Sequence, residues 1–371
     1  MRICHFSDSH LGYGQGHARR ATSGLTMRQE DVIQGFRTAV ERIIDIRPDL
    51  CIHSGDLFDS VRPLNSIMAI AGEQLYRLAE AAGIPTVIIA GNHDAPKQPF
   101  VGAAIDVYRQ IDNLYVASGS RLEVFELLGG KVHAIPHCLT GELLQDEIGK
   151  CRPEASADFN ILVMHGVVAG MPEFSMADLG EQEIPKECFE PFDYVALGHY
   201  HNFSQVSARA FYAGATERTS QSERDFAKGF VLVDMDPFNT SFVEIPSRVM
   251  LDIPILDVSG KRGDEIAAAV KGEIEKVGGE DKVVRLTVTG ASEEALKTIP
   301  SAVIADLKQR SYALDIRFEK DRSEIQATQF GRTAIGRLDE SFVAFLQTVD
   351  LSGFDLERLR KEGLKYLAAE Q

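Results

Sequence analysis

No stretch of the 371 residues approaches the roughly 18 uninterrupted apolar residues that a membrane span requires, so no membrane-spanning helix is expected. The start of the chain, MRICHFSDSHLG, lacks a basic segment followed by an apolar run and a small-residue cleavage site, so a secretory signal is not expected either. Cysteine is sparse. The five residues Cys4, Cys51, Cys138, Cys151 and Cys188 are odd in number and never form a C-x-x-C pair, which argues against a disulfide framework and a thiolate zinc site. Cys4 and Cys51 fall in apolar runs, where cysteine behaves as a small buried hydrophobe, and the compartment reads as reducing and cytoplasmic. An excess of positive charge is also missing: 39 Lys and Arg stand against 55 Asp and Glu, a net charge of −16. A basic face is the usual footprint of a nucleic-acid binder. Composition alone therefore speaks against one, unless a local cationic track and bound divalent cations offset the acidic whole. Repeats and low-complexity linkers are absent as well.

What is present is ordinary globular material, 44% hydrophobic and 25% charged, in a chain longer than one average domain. The first two-thirds alternates β-rich runs with amphipathic helix patterns, the mark of a layered α/β core. RICHFSD is a strand ending at Asp8. Asp31 to Asp45 places Val32, Phe36, Ala39, Val40, Ile43 and Ile44 on one helical face. DLCIHSGD is the next strand, then come a helix around Ile67 to Ala81 and TVIIAGNHD. FNILVMHG, DYVALGHYH, ARAFYAGA, GFVLVDMD and SFVEIP follow, the last of them without intervening helices, as expected of a second sheet packed on the first. Composition changes near Leu251. IPILDV, a helix closed by Gly278 and Gly279, the half-buried strand VVRLTVTG, another helix and ALDIRFE make a β-α-β-α-β module. Two short helices, Asp339 to Val349 and Asp355 to Leu367, form the tail.

The strands of the first part release polar residues at their ends. Asp8 and His10 are two apart and so share a side in extended chain. Asp56 follows DLCIHSG; Asn92, His93 and Asp94 follow TVIIAG; His165 follows NILVM; His199 and His201 follow YVALG. Ligand sites of open α/β sheets collect at such C-terminal strand ends. A lone D-x-H is usually a turn or a cap, and Gly-Asn is common turn chemistry. All of these motifs in order, each after a β-run, leave little room for coincidence. The donors are a mixed nitrogen and oxygen set, suited to manganese, iron or zinc. Two such metals need a bridging carboxylate and can clamp the oxygens of an in-line phosphoryl displacement, while a histidine supplies the general acid. His5 and His53 lie before the strand exits and read as structural. His133 and His137 have no supporting partner and read as ordinary core or surface histidines.

DSH, GDLFD, GNHD, MHG and GHYH, in that order, resemble the calcineurin-like metallophosphoesterase superfamily. SDSHLGYGQGH, SGDLFDSVRP, GNHDAP and AGATERTSQSE further resemble the SbcD-type nucleases of double-strand-break repair. The likeness is close over residues 1 to 250, and 251 to 325 match in position and size. The resemblance implies an α/β/β/α sandwich of four layers with a small α/β cap over 251–325 and a short helical tail over 326–371. It also implies manganese. Asp8, His10 and His201 would hold one ion and Asn92, His165 and His199 the other, with Asp56 bridging. His93 would be the acid that protonates the leaving oxygen, and Asp94 and Asp59 would orient histidines or ligands. His17, Arg19, Arg20, Arg62 and Lys97 would face DNA phosphates.

The expected activity is 3′-to-5′ exonuclease and single-strand endonuclease action on DNA ends, by a homodimer docked on a coiled-coil SMC-like ATPase. The tail stripe Phe342, Phe345, Leu346, Val349, Leu356, Leu359 and Leu367 could dock that ATPase or pack on its own domain. Two rivals remain: a phosphatase or phosphodiesterase of small esters, which the acidic charge favours, and a metal-free scaffold.

Overall fold

Strand runs that are apolar on both faces set the frame. In the computed structural model, which describes residues 1–15, 19–96, 98, 101–171, 182–319 and 360, β1 (Arg2–Phe6) leads to helix α1 (Met27–Ile46), β2 (Leu50–His53), helix α2 (Asn65–Tyr76), β3 (Thr86–Ile89) and β4 (Leu114–Ala117). These strands run parallel in sequence order, as crossover connections require. The chain then enters a second sheet through the hairpin β5 (Glu123–Leu127) and β6 (Gly130–Ile135), helix α3 (Gly141–Lys150) and β7 (Asn160–His165). A short pair, β8 (Val167–Val168) and β9 (Glu183–Ile184), precedes β10 (Tyr194–Gly198), β11 (Ser204–Gln205) and β12 (Ala210–Tyr212).

The last two strands of this part, β13 (Lys228–Met235) and β14 (Phe238–Ile245), return to the first sheet, where β13 pairs antiparallel with β1. Two six-stranded sheets result, ordered β14-β13-β1-β2-β3-β4 and β11-β12-β10-β7-β6-β5. The late strands were all expected in the second sheet. Periodicity says which face of a strand is buried but not which neighbour it takes, and β1 still had an open edge to offer.

Alternation along each strand divides its side chains between two cores. Ile3, Ile52, Val87 and Ile89 of the first sheet meet Val132, Ile161, Val163 and Ala196 of the second. Cys4 and Phe6 point the other way, onto Val32, Phe36 and Val40 of α1 and Ile67 and Leu75 of α2. On the far side Leu162, Met164, Val195 and Leu197 pack against Leu144 of α3 and against Phe189 and Phe192. The layers are therefore helix, sheet, sheet, helix, and burial on both faces explains the near-continuous apolar runs. Helix α1 begins before its apolar stripe does. Thr26 and Gln29 form a capping box, the Gln29 amide donating to Thr26 Oγ1 at 3.1 Å and the Thr26 amide to Gln29 Oε1 at 2.9 Å.

After β14 come β15 (Met250–Asp257), α4 (Gly263–Val277), β16 (Val283–Thr289), α5 (Glu293–Lys297), α6 (Ser301–Arg310) and β17 (Ala313–Phe318). The three strands form a parallel sheet with its own core, Ile266, Val270 and Ile274 lying against Val284, Leu286 and Val288. Arg248 joins it to α1. Its Nη2 lies 2.6 Å from Asp31 Oδ1, its guanidinium sits 4.1 Å over the Tyr312 ring, and the Tyr312 hydroxyl is 2.6 Å from Asp31 Oδ2. The tail expected over 326–371 lies outside the described residues, Arg360 excepted. Among the described residues no helix is long and apolar enough to cross a membrane.

Candidate metal centre

The parallel strands of both sheets end on one rim, and the loops that leave them are tightly wound. Asp8 (φ 50°), His10 (φ 44°), Asp56 (φ 54°) and His199 (φ 108°) all have positive φ, which is uncommon for side chains other than glycine and collects at functional sites. The glycines that precede the polar residues make room for them. A Cβ on Gly91 would lie 2.2 Å from Asp56 Oδ1, and one on Gly198 would lie 2.1 Å from the Ser54 carbonyl oxygen. Gly91→Ala is therefore expected to displace the Asp56 carboxylate. Divalent-cation uptake measured on the purified variant should fall below that of the parent chain.

Two ligand clusters converge. Asp8, His10 and His201 offer donor atoms within 4.8 Å of one another, with His10 Nε2 and His201 Nε2 3.0 Å apart. Beside them Asn92 Oδ1 lies 2.9 Å from His165 Nε2 and 3.2 Å from His199 Nδ1. Asp56 stands between the clusters, its Oδ2 3.4 Å from His165 Nε2 and 3.6 Å from His10 Nε2. The Asp8 carboxylate accepts the His199 amide at 3.0 Å, which ties the two clusters through the backbone. Burial alone would raise the Asp56 carboxyl, but His165, and then His10, hold it well below the usual carboxylate range. Burial opposes charge on His165 too, yet Asp56 lifts it to about 9. Buried carboxylates and imidazoles whose donor atoms crowd together fit a pair of divalent cations, and the mixed donors fit the metals expected from sequence.

His93 donates its amide to Asp56 Oδ1 at 2.8 Å, and its Nδ1 lies 3.0 Å from the Asp59 carbonyl. A carbonyl only accepts, so Nδ1 carries the hydrogen and Nε2 is the exchangeable position. His10, Asp56 and His93 also bring donor atoms within 4.8 Å of one another. The Asp59 carboxylate lies 3.4 Å from His10 Nδ1, the outer partner that leaves Nε2 free for a metal.

Asp94 does something other than orient a histidine. It is buried and accepts the amides of Leu57 (2.9 Å), Phe58 (2.8 Å) and Gly91 (3.2 Å), stapling the Asp56 loop to the Asn92 loop. Burial and then the charge of Asp56 raise its carboxyl to about 7, against the three amides that lower it.

The expected phosphate contacts divide. His17 and Lys97 lie outside the described residues. Arg20 folds back on its own loop, Nη1 to the Gly24 carbonyl at 2.8 Å, and Arg19 reaches the Ser311 carbonyl at 3.2 Å. Both guanidiniums are at least partly engaged within the protein, Arg20 by its own loop and Arg19 by the turn before β17. Arg62 is exposed. His5 is structural, bonded at 2.8 Å to both Tyr194 Oη and Ser54 Oγ. His53 meets Ser9 Oγ at 3.0 Å and His133 meets Asn160 Oδ1 at 3.1 Å.

Two features of the rim escaped the sequence. His137, set aside as ordinary, follows β6 and bonds the Ala90 carbonyl through its amide at 2.9 Å. Burial first, and then the positive field of His165, lower its imidazole to about 4. Its signal was available, because it stands two residues past the end of β6 at Ile135, as Asp8 does past the end of β1 at Phe6. Behind His201 lie Glu223 and Lys228, both buried, which sequence offered no reason to place there.

Residues 1–203 match the sequence model of the family described as calcineurin-like phosphoesterase. The chain is also similar to proteins named DNA double-strand break repair protein Mre11. That of Methanococcus maripaludis is 30% identical over 248 residues, 63% of this chain and 63% of that protein. That of Haloferax volcanii is 28% identical over 337 residues, 83% and 67% of the two. That of Methanopyrus kandleri is 28% identical over 334 residues, 82% and 69% of the two. The matched region thus spans less than two thirds of the Methanococcus maripaludis relative's length.

Proposed function

We propose a function from one premise: the chain belongs to the calcineurin-like phosphoesterase family, whose model matches residues 1–203. It is a two-metal DNA nuclease of the SbcD type, processing ends in double-strand-break repair by 3′-to-5′ exonuclease and single-strand endonuclease action. The observation that carries the phosphodiesterase part is Asp56, a carboxylate shared by two ligand clusters. Bound divalent ions, manganese by resemblance, supply Lewis acidity and an activated water. Asp8, His10 and His201 would hold one, Asn92, His165 and His199 the other, and Asp56 would serve both. His93, turned by the Asp59 carbonyl, delivers a proton from Nε2 to the departing oxygen. None of the seven ligands is missing, which weighs against a metal-free scaffold.

Support for DNA comes from the GDLFD and AGATERTSQSE segments and from the names of the relatives. Within this proposal residues 1–250 are the catalytic domain, 251–325 a cap that shapes access, and 326–371 a partner-docking tail. A cytoplasmic homodimer with a coiled-coil ATPase is its working form. The net charge of −16 and the carbonyl contacts of Arg19 and Arg20 favour a rival, a hydrolase of small phosphodiesters. Purified protein with manganese should degrade labelled single- and double-stranded DNA. Rapid turnover of bis-p-nitrophenyl phosphate with both DNAs left intact would establish the rival instead.

A further inference from the structure

One ligand histidine is backed by a buried ion pair. The chain after β12 passes through a short turn at Gln221–Glu223 and enters β13 at Lys228. It places a glutamate 4% exposed and a lysine 1% exposed behind the His199–His201 loop. Glu223 Oε1 lies 3.1 Å from His201 Nδ1 and accepts the Ser220 amide at 2.9 Å and the Thr219 hydroxyl at 3.0 Å. Glu223 Oε2 pairs with Lys228 Nζ at 2.6 Å. The same ammonium donates to the His201 carbonyl at 2.7 Å and to Asn202 Oδ1 at 3.2 Å.

A carboxylate facing Nδ1 can only accept. The Thr219 hydroxyl also lies 3.1 Å from Nδ1, but its hydrogen goes to Glu223 Oε1, so the His201 hydrogen sits on Nδ1 and the Nε2 lone pair faces His10 and Asp8. The outer partners of His165 and His10 are weaker. His165 Nδ1 faces the neutral Ser54 carbonyl at 2.9 Å, and His10 faces Asp59, whose side chain is 34% exposed, at 3.4 Å. A desolvated carboxylate makes a stronger, charge-assisted bond than either. The cost of burying it is offset by the Lys228 ion pair at Oε2 and by the hydrogen bonds that Oε1 accepts.

We infer that Glu223, braced by Lys228, is a positioning residue that sets the tautomer and basicity of His201 and thereby the metal affinity of the Asp8–His10–His201 cluster alone. The inference rests on the two-metal proposal, and Mn2+ titration of the full chain, with free Mn2+ read by its paramagnetic resonance signal, separates the two. The parent chain should bind two equivalents; no uptake would overturn the two-metal proposal itself. Glu223→Gln keeps the size of the side chain and an acceptor oxygen but removes the charge. It should weaken one equivalent by about 10- to 100-fold, the usual consequence of losing an outer partner, and leave the other unchanged. If the single variant does not fold, Glu223→Gln with Lys228→Met removes both charges together and should show the same loss at one equivalent. Two equivalents bound as tightly as in the parent, or both weakened alike with a lower melting temperature of the metal-free chain, would overturn the role given to Glu223.

Discussion

Asp56→Asn should lower metal-dependent phosphodiester cleavage by at least about a thousandfold, roughly 4 kcal/mol in the barrier. It should also leave no more than one metal equivalent bound. Asp56 places one oxygen against a histidine of each cluster, 3.4 Å from His165 Nε2 and 3.6 Å from His10 Nε2. An amide keeps one carbonyl oxygen but loses the negative charge and presents donors where an acceptor is needed. It also leaves His165 and His10 without the carboxylate that now faces them. The measurements are steady-state cleavage and metal content by elemental analysis. A variant with two tightly held ions and near-parental turnover would remove the bridging role.

His93→Ala is the second large effect, and its signature differs. General acid catalysis contributes about 10²- to 10⁴-fold, so DNA cleavage should fall within that range while both metals stay bound. The leaving group distinguishes the roles further. A p-nitrophenolate departs without a proton, so turnover of bis-p-nitrophenyl phosphate should fall by less than about tenfold. Metal loss in the variant would instead make His93 a ligand, an arrangement that its closeness to His10 and Asp56 permits.

The site was more legible in the sequence than the pairing of the sheets. Asp8, His10, Asp56, Asn92, His165, His199 and His201 each follow a β-run, and parallel strands bring all such ends to one rim. A linear pattern of strand and polar exit therefore encodes a point in space. The pairing of β13 with β1 left no such trace, since Val231 and Val233 are apolar on one face whichever sheet they join. The hairpin β5–β6 went unread although Gly129 and Gly130 mark its turn. Asp94 was expected to orient a histidine or a ligand. Only the fold shows that its oxygens point to three amides of two loops. Glu223 and Lys228 meet His201 through tertiary packing, 22 residues or more along the chain, and no spacing rule announces that. The start of α1 was misplaced because the apolar stripe was followed and the capping pair Thr26 and Gln29 was not.

The contact between Arg248, Asp31 and Tyr312 bears on how the chain can be divided. A fragment ending at residue 250 would strip Arg248 of the Tyr312 ring and of the Asp281 carbonyl that its Nη1 now meets at 3.0 Å. It would also remove the phenol that covers Asp31. Arg248 donates its amide to Glu217 at 3.0 Å, six residues before Glu223, so the stretch disturbed at one end carries the support of His201 at the other. The change in composition near Leu251 marks where one hydrophobic core gives way to another, yet it is a poor place to cut the gene.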